Sequence, residues 1–170
     1  MSHTVLIWSA VLSATVFFLV RSRPWFRARP VLKALMAVFL GGALLLVSPS
    51  LLWVMAIGFF FSAFGDFFLD LPEDGNNGEK WFLAGLISFF AAHVAFTIYL
   101  FGHMTPISGF ELYEWTVCAG LVLITLVFYG WLYPSLPSDM KIPVAAYSLV
   151  ITIMGITALA TTLPSKLVPI

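Results

Sequence analysis

Charge is what this chain has least of: Asp, Glu, Lys and Arg make up 9% of its 170 residues, against 61% hydrophobic residues. A chain so poor in charge and so rich in apolar side chains does not fold as a soluble globule. The single cysteine, Cys118, excludes an internal disulfide and any multi-cysteine metal site. The three histidines are scattered without ligand spacing, so no metal or other cofactor is expected. There is no glycine-rich phosphate loop, no Gly-x-Ser-x-Gly elbow and no His-Glu-x-x-His pair, which removes the common nucleotide, serine-hydrolase and zinc-protease classes. The formal net charge is zero and no basic patch is interleaved with aromatics, so nucleic acid is not an expected partner.

What the chain does have is long apolar runs. Crossing roughly 30 Å of hydrocarbon takes about 20 residues of helix, and runs of that order recur at residues 4 to 20, 31 to 48, 51 to 69, 81 to 101, 115 to 133 and 142 to 162. The expected fold is all-α, a polytopic transmembrane helical bundle of about six spans. The connections are too short for a soluble domain, so residues 1–170 are expected to form one domain, with the lipid bilayer as its constant partner.

Basic residues set the expected orientation, because cytoplasmic loops keep Lys and Arg. Arg21, Arg23, Arg27, Arg29 and Lys33 fall at the first connection, Lys80 at the third and Lys141 at the fifth, leaving Lys166 for the other side. The connection 21–33 is therefore expected in the cytoplasm and both termini outside. The first span has its charges after it, the reverse of a cleavable signal, and is expected to stay as an anchor. Trp25, Trp81 and Trp131 fall near the inner boundary and Trp8, Trp53 and Trp115 near the outer one, as an aromatic belt requires.

Within this apolar chain Asp66 stands out. It lies near the end of the run from Leu51 to Leu69, where hydrocarbon penalises a charge and a carboxylate is by default a functional residue. Gly58, Ser62, Gly65 and Asp66 fall at i, i+4, i+7 and i+8 and share one helical face. Small residues allow close helix approach, so this face is expected to pack on a neighbour and turn Asp66 inward. Asp70 follows one turn later, where it is either a second carboxylate of the site or a solvated residue of the acidic connection. Lys33, Tyr129 and Tyr147 lie at the same expected depth as Asp66 and are candidates for one polar pocket with it; a snorkelling lysine and interfacial tyrosines are the plainer alternatives. His93 is expected about 10 Å or more deeper than Asp66, hydrogen-bonded to another helix or lining a wet cavity. Gly41 and Gly42 in the second span leave self-association open.

Several of these residues carry a resemblance. Gly58-Phe-Phe-Phe-Ser62-Ala-Phe-Gly65-Asp66 is similar to the Gly-Leu-x-Phe-Ser-x-x-Gly-Asp signature of the YhhN-like lysoplasmalogenases. Phe82-Leu-Ala-Gly85-Leu-Ile-Ser-Phe89-Phe-Ala-Ala-His93 resembles the segment that follows it in that family. Pro143-Val-Ala-Ala-Tyr147 with Met154 resembles a third block, and Lys33-Ala34-Leu35 takes the place of a Lys-Pro-Leu element, with alanine for proline.

The resemblance implies an integral membrane hydrolase that cleaves the vinyl ether bond of a lysophospholipid, a lysoplasmalogen, to a fatty aldehyde and a glycerophospho-alcohol. It implies catalytic roles for Asp66 as general acid, for Asp70 as second carboxylate, and for His93 and Tyr147, with Ser62 on the substrate; Lys33 or the arginines of the first connection are expected to hold the phosphate, and Tyr129, placed by depth alone, to bind substrate beside them. The family's pattern continues into further spans with a second intramembrane aspartate in a Ser-Asp element. This chain reads Thr161-Thr-Leu-Pro-Ser-Lys-Leu-Val-Pro-Ile170 instead, so if both aspartates are required the expectation is threefold: an inactive chain, an incomplete one, or one that depends on Asp70 as the substitute. Two other classes use buried carboxylates: a small proton-coupled transporter, which would move substrate without forming product, and a non-catalytic lipid-binding scaffold, which would tolerate Asp66→Asn.

Overall fold

The computed structural model describes residues 2–20, 28–71, 77–104 and 107–161. Among them are six α-helices and no strand: α1 His3–Val20, α2 Arg29–Val47, α3 Pro49–Leu69, α4 Gly78–Phe101, α5 Leu112–Leu132 and α6 Lys141–Thr161. All six are long and apolar enough to cross a membrane. Helices that are apolar all round have no solvent face to offer, which is the pattern of spans rather than of surface helices. Arg21, Arg23, Trp25 and Arg27, residues 72–76 of the acidic connection, and the tail from residue 162 with Lys166 lie outside the described residues.

The helix ends follow capping more than apolarity. Expected at residue 115, α5 begins three residues earlier because Glu111 and Glu114 form a capping box: the Glu114 Oε2 accepts the Glu111 backbone N–H at 2.7 Å, and the Glu111 side chain accepts from the Glu114 backbone. Glu114 is fully buried there. Pro30 and Pro49 stand in the first turns of α2 and α3, where the missing N–H costs nothing, and draw both helices out to earlier starts than the apolar runs suggest.

The chain divides into two compact units, Met1–Ala95 and Phe96–Ile170. In the first, α1 turns Leu6, Ala10 and Ser13 inward, an i, i+4, i+7 face. Leu6 reaches Gly42 of α2, where an added Cβ would sit 3.3 Å from its Cδ1. Ser48 alone separates α2 from α3: its N–H closes onto the Leu44 carbonyl, and Pro49 cannot continue the first helix. The result is a tight antiparallel pair, in which Gly41 lets α2 approach the Ala56 carbonyl and Phe59. Lipid tails are as apolar as leucine, so close packing at such small residues, rather than exclusion of water, holds spans together.

The α3–α4 contact uses glycine on both sides. A Cβ on Gly65 would lie 2.6 Å from ring carbons of Phe89, and one on Gly85 would lie 2.7 Å from Leu69. Each glycine is thus the socket for a bulky side chain of the other helix. At the turn end of the pair, Phe68 stacks on Trp81 with centroids 5.9 Å apart and planes 6° from parallel.

In the second unit α5 and α6 meet through hydroxyls. Thr125 and Thr152 Oγ1 atoms are 2.6 Å apart. The Thr152 hydroxyl already donates to the Ser148 carbonyl at 2.8 Å, so Thr125 is the donor between them. Above this bond Leu121 rests on Gly155, and at the other end the Tyr129 hydroxyl donates to the Lys141 carbonyl at 3.0 Å. The rest of α5 is open: only Glu114 and Cys118 are buried.

Candidate functional site

Because α2 and α3 form a hairpin, the start of α2 lies beside the end of α3, and the polar residues of both ends meet. Lys33 Nζ is 3.1 Å from Asp66 Oδ1. One turn further out Arg29 Nε is 4.0 Å from Asp70 Oδ2. Arg29 and Lys33 are i, i+4 on α2, and Asp66 and Asp70 are i, i+4 on α3, so two antiparallel helices hold two rungs of opposite charge about 6 Å apart.

Asp66 owes its direction to its neighbour. Gly65 faces α4, and the next residue is turned about 100° around the helix, which brings Asp66 to the side of α3 where Lys33 meets it. Both side chains of the inner rung are mostly shielded without being sealed, with 27% exposure for Lys33 and 19% for Asp66. A charge stranded at such a depth costs several kcal/mol, and pairing relieves it. A ligand can still reach the pair.

Of the residues singled out from the sequence, Lys33, Asp66 and Asp70 come together at this end of the first unit. Ser62 lies half-buried on α3 one turn before Asp66. His93 lies further along α4: Phe89 is the residue that meets Gly65, and His93 follows it by four residues, about 6 Å. The bond it makes within its own helix is to the Phe89 carbonyl, which accepts from Nδ1–H at 2.6 Å and so places the lone pair of the neutral ring on Nε2. Tyr129 and Tyr147 belong to the second unit. Tyr129 uses its hydroxyl on Lys141 and packs edge-on to Tyr133, over whose ring the Lys141 ammonium sits at 4.1 Å. Tyr147 is half-buried on α6.

Arg29 was read only together with the other arginines of the first connection, as a topology charge or a holder of phosphate, and its pairing with Asp70 was not foreseen. The signal was present: it precedes Lys33 by one turn, as Asp70 follows Asp66 by one turn. An apolar groove of about 520 Å³ in the first unit is not this site. Its α2 wall is Val31, Ala34, Leu35 and Val38, a face from which Lys33 is turned by roughly 150°.

The class these features define is a multi-pass helical membrane protein with paired charges at the end of two of its spans. Residues 28–169 match the YhhN family, and the chain belongs to that family. No curated protein and no solved structure matches it.

Proposed function

We propose that this protein is a membrane hydrolase of the lysoplasmalogenase type, cleaving the vinyl ether of a lysophospholipid, with Lys33 and Asp66 as its acid and base. The observation that carries this is the ion pair itself, a proton donor and a carboxylate 3.1 Å apart inside a span. Family membership supports the reaction class. Depth supports the substrate: Asp66 lies about one turn inside the end of α3, and the vinyl ether of a lysolipid adjoins the glycerol just beneath the head group.

Vinyl ether hydrolysis begins with a proton added to the β-carbon, the electron pair of the double bond forming the new C–H bond. The α-carbon is left as an oxocarbenium ion. The sequence alone assigns the acid to Asp66; the ion pair favours Lys33 as donor, because the ammonium becomes a neutral amine just as positive charge appears on the substrate. Asp66 then faces the cation as carboxylate, stabilises it and takes a proton from the water that adds to the α-carbon. That proton returns to Lys33. The hemiacetal collapses by breaking the bond to the glycerol oxygen, which leaves protonated as an alcohol, and the aldehyde is released.

Aldehyde release from lysoplasmenylethanolamine by purified protein in liposomes tests this, comparing the wild type with Asp66→Asn and Lys33→Arg. Arginine keeps the charge but not a removable proton. Loss of product in both variants, with helix content unchanged, is the expected result; product from Asp66→Asn at the wild-type rate rejects the proposal.

A further inference from the structure

The direction of the inner rung is set on another face of α3. Gly65 and Leu69 are i, i+4 on α3, and Gly85 and Phe89 are i, i+4 on α4, so each pair shares one face of its helix. The two faces interlock in antiparallel order. Phe89 takes the space where a Gly65 Cβ would stand, 2.6 Å from two of its ring carbons, and Leu69 takes the space of a Gly85 Cβ, 2.7 Å from its Cγ and Cδ2. The backbones come close as well, with the Gly65 carbonyl 3.3 Å from that same Cβ position on Gly85. Two knobs in two sockets one turn apart fix both the rotation of α3 and its position along α4, where a single contact would let it pivot. Close packing of this kind is what holds one span to another in lipid.

Each aspartate directly follows a member of this contact, Asp66 after Gly65 and Asp70 after Leu69. One residue is about 100° around the helix, so α4, by holding Gly65 and Leu69, points both carboxylates at α2, where Lys33 meets Asp66 at 3.1 Å. Resting on the hydrolase reading of the inner rung, we propose that Phe89, together with Leu69, is a positioning residue for the reaction: it acts through Asp66 and sets the angle at which that carboxylate faces Lys33. The lever is short. A side chain reaches about 5 to 6 Å from the helix axis, so turning α3 by about 20° swings the carboxylate by roughly 2 Å. That is enough to part the ion pair, and a misplacement of about 1 Å can cost on the order of 10²-fold in rate.

The test compares two truncations of the full chain in liposomes. Phe89→Ala empties the Gly65 socket, whereas Leu6→Ala empties the contact that α1 makes on Gly42. Phe89→Ala is expected to lower kcat for lysoplasmenylethanolamine about 10- to 100-fold with KM held within about twofold. Leu6→Ala should lose thermal stability and keep its kcat. Phe89→Leu restores a knob and should recover most of the rate, and Leu69→Ala carries the same test from the other socket if Phe89→Ala does not insert. The aim of Asp66 is also read without turnover. In a Cys118→Ser chain carrying Lys33→Cys and Asp66→Cys, a short bifunctional thiol reagent should join the two positions, about tenfold more slowly once Phe89→Ala is added and at the same rate with Leu6→Ala. Equal loss of kcat in Phe89→Ala and Leu6→Ala, or a linking rate that Phe89→Ala leaves unchanged, overturns the proposal. The two readings fail separately: slower linking without any aldehyde release sinks the hydrolase and keeps the positioning role, whereas aldehyde release with unchanged linking does the reverse.

Discussion

The two units treat polar groups in different ways. The first places full charges inside or at the ends of its spans and joins two pairs of them across neighbouring helices, Lys33 with Asp66 and Arg29 with Asp70. The second uses neutral hydroxyls between its helices, Thr125 with Thr152 and Tyr129 with the Lys141 carbonyl, and folds its one fully buried carboxylate, Glu114, into a helix cap. A hydroxyl bond between spans is worth about 0.6 to 2 kcal/mol and serves packing. An ion pair at such depth adds little net stability once desolvation is counted. The glycines differ in the same sense: Gly65 is the seat of Phe89, whereas Gly155 leaves ordinary room beside Leu121.

Breaking the inner rung should give the largest effect. Asp66→Asn is expected to cut aldehyde release by about 10³-fold and Lys33→Arg by about 10²-fold or more, read as initial rates on folded protein. Next is the α3–α4 socket. Gly65→Ala drives a Cβ into the Phe89 ring and should destabilise by about 1 to 3 kcal/mol in thermal or denaturant unfolding. Phe89→Leu in the same chain should recover part of that loss, and its failure to do so would show that the ring is not the obstacle. In the second unit Thr125→Val should cost about 1 kcal/mol in unfolding and leave aldehyde release intact, since it removes only the donor to Thr152. Gly155→Ala is the smallest change: with its nearest neighbour at 3.4 Å it should lie within about 0.5 kcal/mol of wild type, or gain from the better helix former. If Gly155→Ala proved as damaging as Gly65→Ala, the contrast between the units would be lost.

Much of the fold was legible because lipid imposes a simple rule. Apolar runs of span length marked all six helices, and their ends were missed by only a few residues, chiefly where Glu111, Glu114 and the prolines reset the start. The Glu-x-x-Glu spacing ahead of the α5 run was a readable capping signal. For the site, the stripe from Gly58 to Asp66 showed that Asp66 turns inward, and depth counting put Lys33 at its level. Arg29 could be read only as one of several arginines in a basic connection, because its pairing with Asp70 depends on how α2 meets α3. That Phe89 fills Gly65, with His93 one turn, about 6 Å, beyond it, depends on how α4 crosses α3, which no periodicity within one helix records.

By itself, then, the sequence determined that the chain spans a membrane several times, where each span runs, and which side chains carry a charge into hydrocarbon, because burial in lipid is priced residue by residue. Which charges meet was decided only in the tertiary structure. The short turn at Ser48 and the small residues at Gly41 and Ala56 fix the register of α2 against α3, and a slip of one residue would turn Lys33 about 100° away from Asp66.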